Sequence, residues 1–231
     1  MAACDSNYCF TLLDIGSPGR NADGGVFASS AFGQAIEGNS LGLPHPASPS
    51  GSDDDLPFVF VADEAFPLQP HIMRPYPGRQ IPENQVIFNY RLSRARRTIE
   101  NAFGILSARW RVFRRPIIAK TSKVVSVVKA ACALHNWLKM ADQQKPSESR
   151  HYCPLDFSDV EQGDGTTELG RWRDEADVSE GLTPILQVGS NNYRATASSV
   201  RDAYCQYFSS EVGAVPWQYN HVRRGSAPSL V

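Results

Sequence analysis

The sequence predicts an α/β domain, and three stretches carry that expectation. Residues 56–62 (LPFVFVA) form a short continuous apolar run, which fits a strand buried on both faces. Residues 1–15 alternate β-formers around Asp5, Ser6 and Asn7, which fits two strands joined by a turn. Residues 84–113 read as one long amphipathic helix. Phe88, Leu92, Ala95, Ile99, Ala102, Phe103, Leu106 and Trp110 recur at steps of three and four.

In chain order, the N-terminal hairpin runs into a Gly/Pro loop at residues 16–20. Asp23 then suits the N-cap of a short helix over residues 24–37, with Val26, Phe27 and Phe32 partly buried. Residues 38–56 are rich in Gly, Pro and Ser and form a surface loop. Its run Asp53, Asp54, Asp55 is a solvated turn, because consecutive side chains in an extended segment do not converge on one ion. The apolar run ends at Asp63. An acid there either caps a turn or faces a crevice at the carboxyl end of a buried strand, where α/β domains place functional groups. Residues 69–82 hold four prolines and read as an extended loop, with His71 and Arg74 in it and His71 solvated.

On the long helix Asn84 is the expected N-cap, and Pro116 stops the pattern. Its polar side carries Arg91, Arg94, Arg96, Arg97, Arg109 and Arg111, and Arg114 and Arg115 follow. Glu100 is the only acid from position 84 to 115. At about 100° per residue Glu100 sits beside the apolar stripe, sharing its side with Ser93, Arg96, Phe103 and Ser107. Two readings stay open for it. One is an ion pair with Arg96 or Arg97 a turn away. The other is a metal-binding carboxylate on a helix whose guanidinium groups grip phosphate oxygens in pairs.

A second helix, capped by Thr121 or Ser122, runs over residues 123–140 and is expected to be mostly buried. His135 lies on its apolar side, where a satisfied core histidine is the plain reading. From Asp142 the sequence turns polar and acidic, and residues 142–195 are expected to be a flexible segment. A last amphipathic helix covers residues 198–210, with Val200, Tyr204, Tyr207 and Phe208 on one side. Residues 213–218 follow as a docking segment. The expected division is therefore 1–141, 142–195 and 196–231.

Composition narrows the function. The net charge of −1 hides an asymmetry: residues 84–145 hold thirteen Lys/Arg against two acids, while residues 146–185 hold ten acids against three Arg. The basic block points to a polyanion such as nucleic acid. The acidic block reads as a solvated tail, with masking of the basic face in cis as the alternative. Five scattered cysteines without a CxxC pair indicate neither a zinc site nor a disulfide framework, and fit a reducing compartment. The first twenty residues lack the apolar stretch of a signal peptide, and no run reaches the length of a membrane span.

Residues 62–68 (ADEAFPL), 88–117 (FNYRLSRARRTIENAFGILSARWRVFRRPI) and 133–138 (ALHNWL) resemble the PIF/Harbinger transposases and the nucleases derived from them. Residues 14–32 and 200–218 are similar to the same family. The resemblance covers residues 1–140 and, less closely, the last thirty. It implies the RNase H-like fold of the DDE transposases and integrases, a mixed sheet flanked by helices. It also implies cleavage of DNA phosphodiester bonds by two divalent ions, Mg²⁺ or Mn²⁺, held by Asp, Asp and Glu. On this sequence the second acid falls on Asp63 and the third on Glu100. The implied DNA-contacting residues are Arg91, Arg94, Arg96, Arg97, Arg109 and Arg111. DNA is the implied partner, with a separate DNA-binding protein beside it and no membrane. The nucleus is the implied location, with the cytoplasm as a second one.

The sequence departs from the family in one respect. The family's first acid lies on the first strand in an Asp-Gly-Thr-His-like block upstream of the hairpin, and this sequence has no such block. The N-terminal DNA-binding region is absent too. The sheet is therefore expected to lack its first strand, which leaves a central gap, and cleavage by this chain is expected to be impaired. Two carboxylates alone hold Mg²⁺ weakly, because Mg²⁺ demands near-octahedral coordination. The competing function is a non-catalytic DNA-binding or protein-interaction module derived from a transposase.

Overall fold

The computed structural model describes residues 1–17, 23–175 and 194–225. The chain divides into two compact units, one formed by residues 1–21 and 97–185, the other by residues 22–96 and 186–231.

The first unit begins with the expected hairpin. Strands β1 (Ala2–Cys4) and β2 (Phe10–Leu13) pair antiparallel with a bulge at Ala3/Cys4. The Asp5 carboxylate builds the turn by accepting from the N–H groups of Asn7 and Cys9, both at 2.9 Å. The C-terminal half of helix α3 (Glu83–Arg109) and helix α4 (Thr121–Gln143) supply the apolar mass. Phe10 packs with Ala102, Leu106, Ala131 and Cys132 in one cluster; Ile105, Ala108, Tyr152, Phe157 and Trp172 form another. The Asn136 amide stands in for a neighbouring strand along β2. It accepts from the Phe10 N–H and donates to the Phe10 carbonyl, each at 2.8 Å. His135 is fully buried and satisfied. Its Nε2 donates to the Tyr8 carbonyl and its Nδ1 accepts from the Tyr152 hydroxyl, both at 2.8 Å.

The acidic stretch differs from the expected flexible segment over its described part, up to Glu175. A 3₁₀ turn (Ser147–Ser149), strands β5 (Val160–Glu161) and β6 (Thr167–Glu168) and helix α5 (Trp172–Glu175) occupy it. Tyr152, Cys153, Phe157 and Trp172 are buried. The acids themselves organise this backbone. Asp142 accepts from the Tyr152 and Cys153 N–H groups, and Asp159 accepts from the Gly170 N–H and from Arg173. Residues 176–193 of the expected segment lie outside the described residues.

In the second unit the expected single helix at 24–37 is two. Helix α1 (Asp23–Ser29) stops and Ser30 caps α2 (Ala31–Glu37): its hydroxyl accepts from the Gly33 N–H at 2.9 Å and donates to the Phe27 carbonyl at 2.6 Å. The expected strand over 56–62 shrinks to β3 (Phe60–Val61). It pairs in parallel with β4 (Ile72–Met73), which lies inside the expected proline-rich loop. The run is not buried on both faces: Phe58 is 48% and Val61 37% exposed. Phe88, Leu92, Met73 and Tyr76 pack with Ala197 and Cys205 of helix α6 (Ala195–Ser209). Helix α7 (Gln218–Gly225) follows.

The strands form three separate two-stranded sheets among the described residues, so the implied mixed sheet does not appear as one sheet. Two helix limits also shift. α3 starts at Glu83, which leaves Asn84 inside it, and ends at Arg109; Trp110 is extended and a 3₁₀ turn (Arg111–Phe113) follows. Trp110 leaves the helix because its indole N–H donates to the Tyr152 hydroxyl at 3.1 Å. α4 takes Lys120 as its N-cap with no side-chain bond, so neither Thr121 nor Ser122 caps it. Its outer face is bare, with Leu134, Trp137 and Met140 exposed, whereas a mostly buried helix was expected.

Candidate functional site

Asp63 lies two residues past the end of β3 and is half-buried. Its Oδ1 accepts from the Ala65 N–H at 3.0 Å, so the carboxylate closes the turn it opens. Two neighbours hold that turn. The Phe66 ring meets Phe27 edge-on at 5.8 Å. Arg74 is fully buried, and its guanidinium donates to the Glu64 carbonyl at 3.3 Å and the Phe66 carbonyl at 3.1 Å. The sequence assigned Arg74 only to a loop. A buried arginine at a loop's inner edge has no periodic signature; the carbonyls that attract it are eight and ten residues back along the chain. His71, expected to be solvated, is half-buried, and its Nδ1 lies 2.9 Å from the Phe58 carbonyl.

Glu100 lies on α3, half-buried, one turn after Arg96 and Arg97. The residue beside it is fixed from behind. Asn101 is buried, and its Oδ1 accepts from the Trp172 indole at 2.8 Å and from the Asp159 N–H at 3.2 Å. Burial pushes the Asp159 carboxyl up, but the Arg173 guanidinium and the Gly170 N–H outweigh it and hold its pKa below the usual range. Gly104, one turn on, leaves room for the Trp172 ring: a Cβ there would stand 2.4 Å from it.

The predicted DNA-contacting arginines are largely engaged within the fold. Arg91 donates to the Gly213 carbonyl at 3.0 Å and to Gln218 at 3.1 Å, and its guanidinium lies 4.6 Å from the Phe208 ring centre. Arg94 lies over Tyr90 and Trp217. Arg97 donates to the Thr167 hydroxyl at 2.5 Å. Arg109 donates to the Tyr152 and His151 carbonyls and lies 3.9 Å from the Phe157 ring centre. Arg96 is half-buried, and Arg111 is exposed.

Asp63 belongs to one compact unit and Glu100 to the other. Among the described residues no three His, Cys, Asp or Glu side chains converge as a metal centre. No helix among the described residues is long and apolar enough to cross a membrane.

A family model described as DDE superfamily endonuclease matches residues 1–136, a stretch that holds both Asp63 and Glu100. The chain is also similar to Protein ALP1-like of Arabidopsis thaliana, with 28% identity over 155 residues. That match takes in 65% of this chain and 38% of the relative, so the chain spans well under half of the relative's length. No solved structure matches. On the strength of the model that spans more than half of its residues, the chain belongs to the DDE superfamily endonuclease family.

Proposed function

We propose that this chain is a Harbinger transposase-derived endonuclease domain. It carries the second and third acids of the family's trio, Asp63 and Glu100, and is impaired in cleavage without the first. The single observation behind this reading is the family match over residues 1–136, a stretch in which both acids lie. An RNase H-like core is the fold this reading implies. Divalent metal is the family's reagent for phosphodiester chemistry. In each unit the chain's own residues position one of the two acids. The buried Arg74 and the Ala65 N–H hold the Asp63 turn. Asn101, Trp172 and Asp159 brace the helix next to Glu100.

Calorimetric titration with Mn²⁺, run on the chain and on Asp63→Asn and Glu100→Gln, tests the reading. The expected result is weak binding that both substitutions abolish, with at most trace nicking of duplex DNA. DNA cleavage that survives both substitutions would sink it.

A second reading, a non-catalytic DNA-binding module, is favoured by one observation: the exposed cations after α3 have no acid among them. It expects salt-sensitive duplex binding that chelation of metal leaves unchanged. A nuclear location and a separate DNA-binding partner protein belong to both readings.

A further inference from the structure

Residues 110–123 (WRVFRRPIIAKTSK) join α3 to α4 and hold five cations and no acid. The segment is anchored at its base. Trp110 is tied to Tyr152, Phe113 packs on the cluster around Phe10 and Leu106, and Arg114 donates to the Ala108 carbonyl at 2.7 Å. Beyond those anchors it is bare. Arg111, Arg115, Lys120 and Lys123 are exposed, and among the described residues none of their side chains takes part in an ion pair or hydrogen bond. This sets them apart from Arg91, Arg97 and Arg109, whose guanidinium groups already serve the fold.

Two further features lie between the cations. The Ala119 N–H donates to the Ile117 carbonyl at 3.1 Å, a three-residue turn with Ile118 at its tip, and Ile118 is 102% exposed. Pro116 restricts Arg115 to extended backbone, which stiffens the approach to that tip. The segment then enters α4 at Lys120, where no side chain caps the first N–H groups, and the positive end of the helix adds to the cationic field.

We propose that this junction is a duplex-DNA contact surface. Arg111, Arg115, Lys120 and Lys123 take backbone phosphates, and Ile118 enters the groove as an apolar wedge. The proposal rests on the reading that DNA is the polyanion this chain meets. Cations that flank a bare aliphatic tip suit a duplex, where phosphates run on both sides of a groove and a side chain inserts between base steps. An anionic membrane fits less well, since the tip offers one fully exposed aliphatic residue rather than an amphipathic face.

The test is fluorescence anisotropy of a labelled duplex against the full chain in EDTA over a range of salt. A 2-aminopurine duplex reports unstacking. The variant R111A/R115A/K120A/K123A should flatten the slope of log affinity against log salt by about 3 to 4. Ile118→Ala should keep the slope and lose the 2-aminopurine signal. All five positions are exposed, so near-UV circular dichroism should match the parent. A parent slope retained by the quadruple variant would overturn the surface and leave the endonuclease reading standing. No salt-dependent binding by the parent would remove both. Equal binding to phosphatidylserine vesicles, lost in Ile118→Ala, would overturn the proposal in favour of a membrane surface.

Discussion

Single residues in this protein often act against their usual tendencies. Gly104 sits inside α3, where replacing glycine with alanine at an exposed site gains up to about 1 kcal/mol of helix stability. Here the added methyl meets the Trp172 ring, and a ring wedged between α3 and the Asp159 loop has little room to move. Gly104→Ala should therefore destabilise the chain by about 1–3 kcal/mol, measurable by urea denaturation. Asp142 is a second case. Burial raises its pKa, but the Cys153 N–H, the Lys145 ammonium and the Tyr152 and His151 N–H groups outweigh burial and bring it down to about 2. Asp142→Ala strands two buried N–H groups and should cost about 2–4 kcal/mol in the same measurement. The sequence showed Asp142 only as the start of an acidic stretch, because its partners ten and eleven residues on are backbone groups that carry no sequence signal.

At the scale of elements, periodicity located the long helices and local hydrogen bonding set their limits. α4 was legible from its apolar repeats, but the repeats run round the helix and do not say which side is covered. His135 and Asn136 decide that by tying one face to the hairpin, which leaves Trp137 66% exposed. The helix at 24–37 was legible in extent and not in its break. Ser30 interrupts it because its hydroxyl competes with the backbone at both ends, and Gly33 passes so near the Phe27 carbonyl that a Cβ would lie 2.0 Å from it. Ser30→Ala should cost about 1 kcal/mol in a thermal melt, the usual value of a lost N-cap. Ser29→Ala, an exposed site beside it, should change the melt far less.

For the whole chain, the acid limb of stability should show two regions. Burial, ahead of the Lys139 charge, lowers the His135 pKa in spite of the Tyr8 carbonyl, so the folded chain resists a proton that the unfolded chain accepts. Stability should therefore fall as pH drops below about 6.5, the unfolded histidine value. Asp142 is depressed instead. Its contribution is fully present above the unfolded aspartate value and is lost as pH falls from about 4 toward 2. Urea midpoints measured from pH 8 to pH 2 check both, and His135→Gln should remove the upper region while leaving the lower one.

By itself the sequence determined the hairpin, the long helices and the family. Each rests on short-range pattern: turn chemistry over three residues, apolar spacing over a turn of helix, or a contiguous motif. Only the tertiary structure decided which charges are available. Arg91 and Arg109 look like solvent-facing cations in sequence, yet their partners, Gly213 and Tyr152, lie 122 and 43 residues away. Ile118 and Lys120, unremarked in the sequence, stand clear because the anchors at Trp110 and Arg114 hold the junction's base and, among the described residues, nothing covers its tip. An arginine's pattern is local, whereas its occupancy depends on carbonyls and rings that only folding brings within reach.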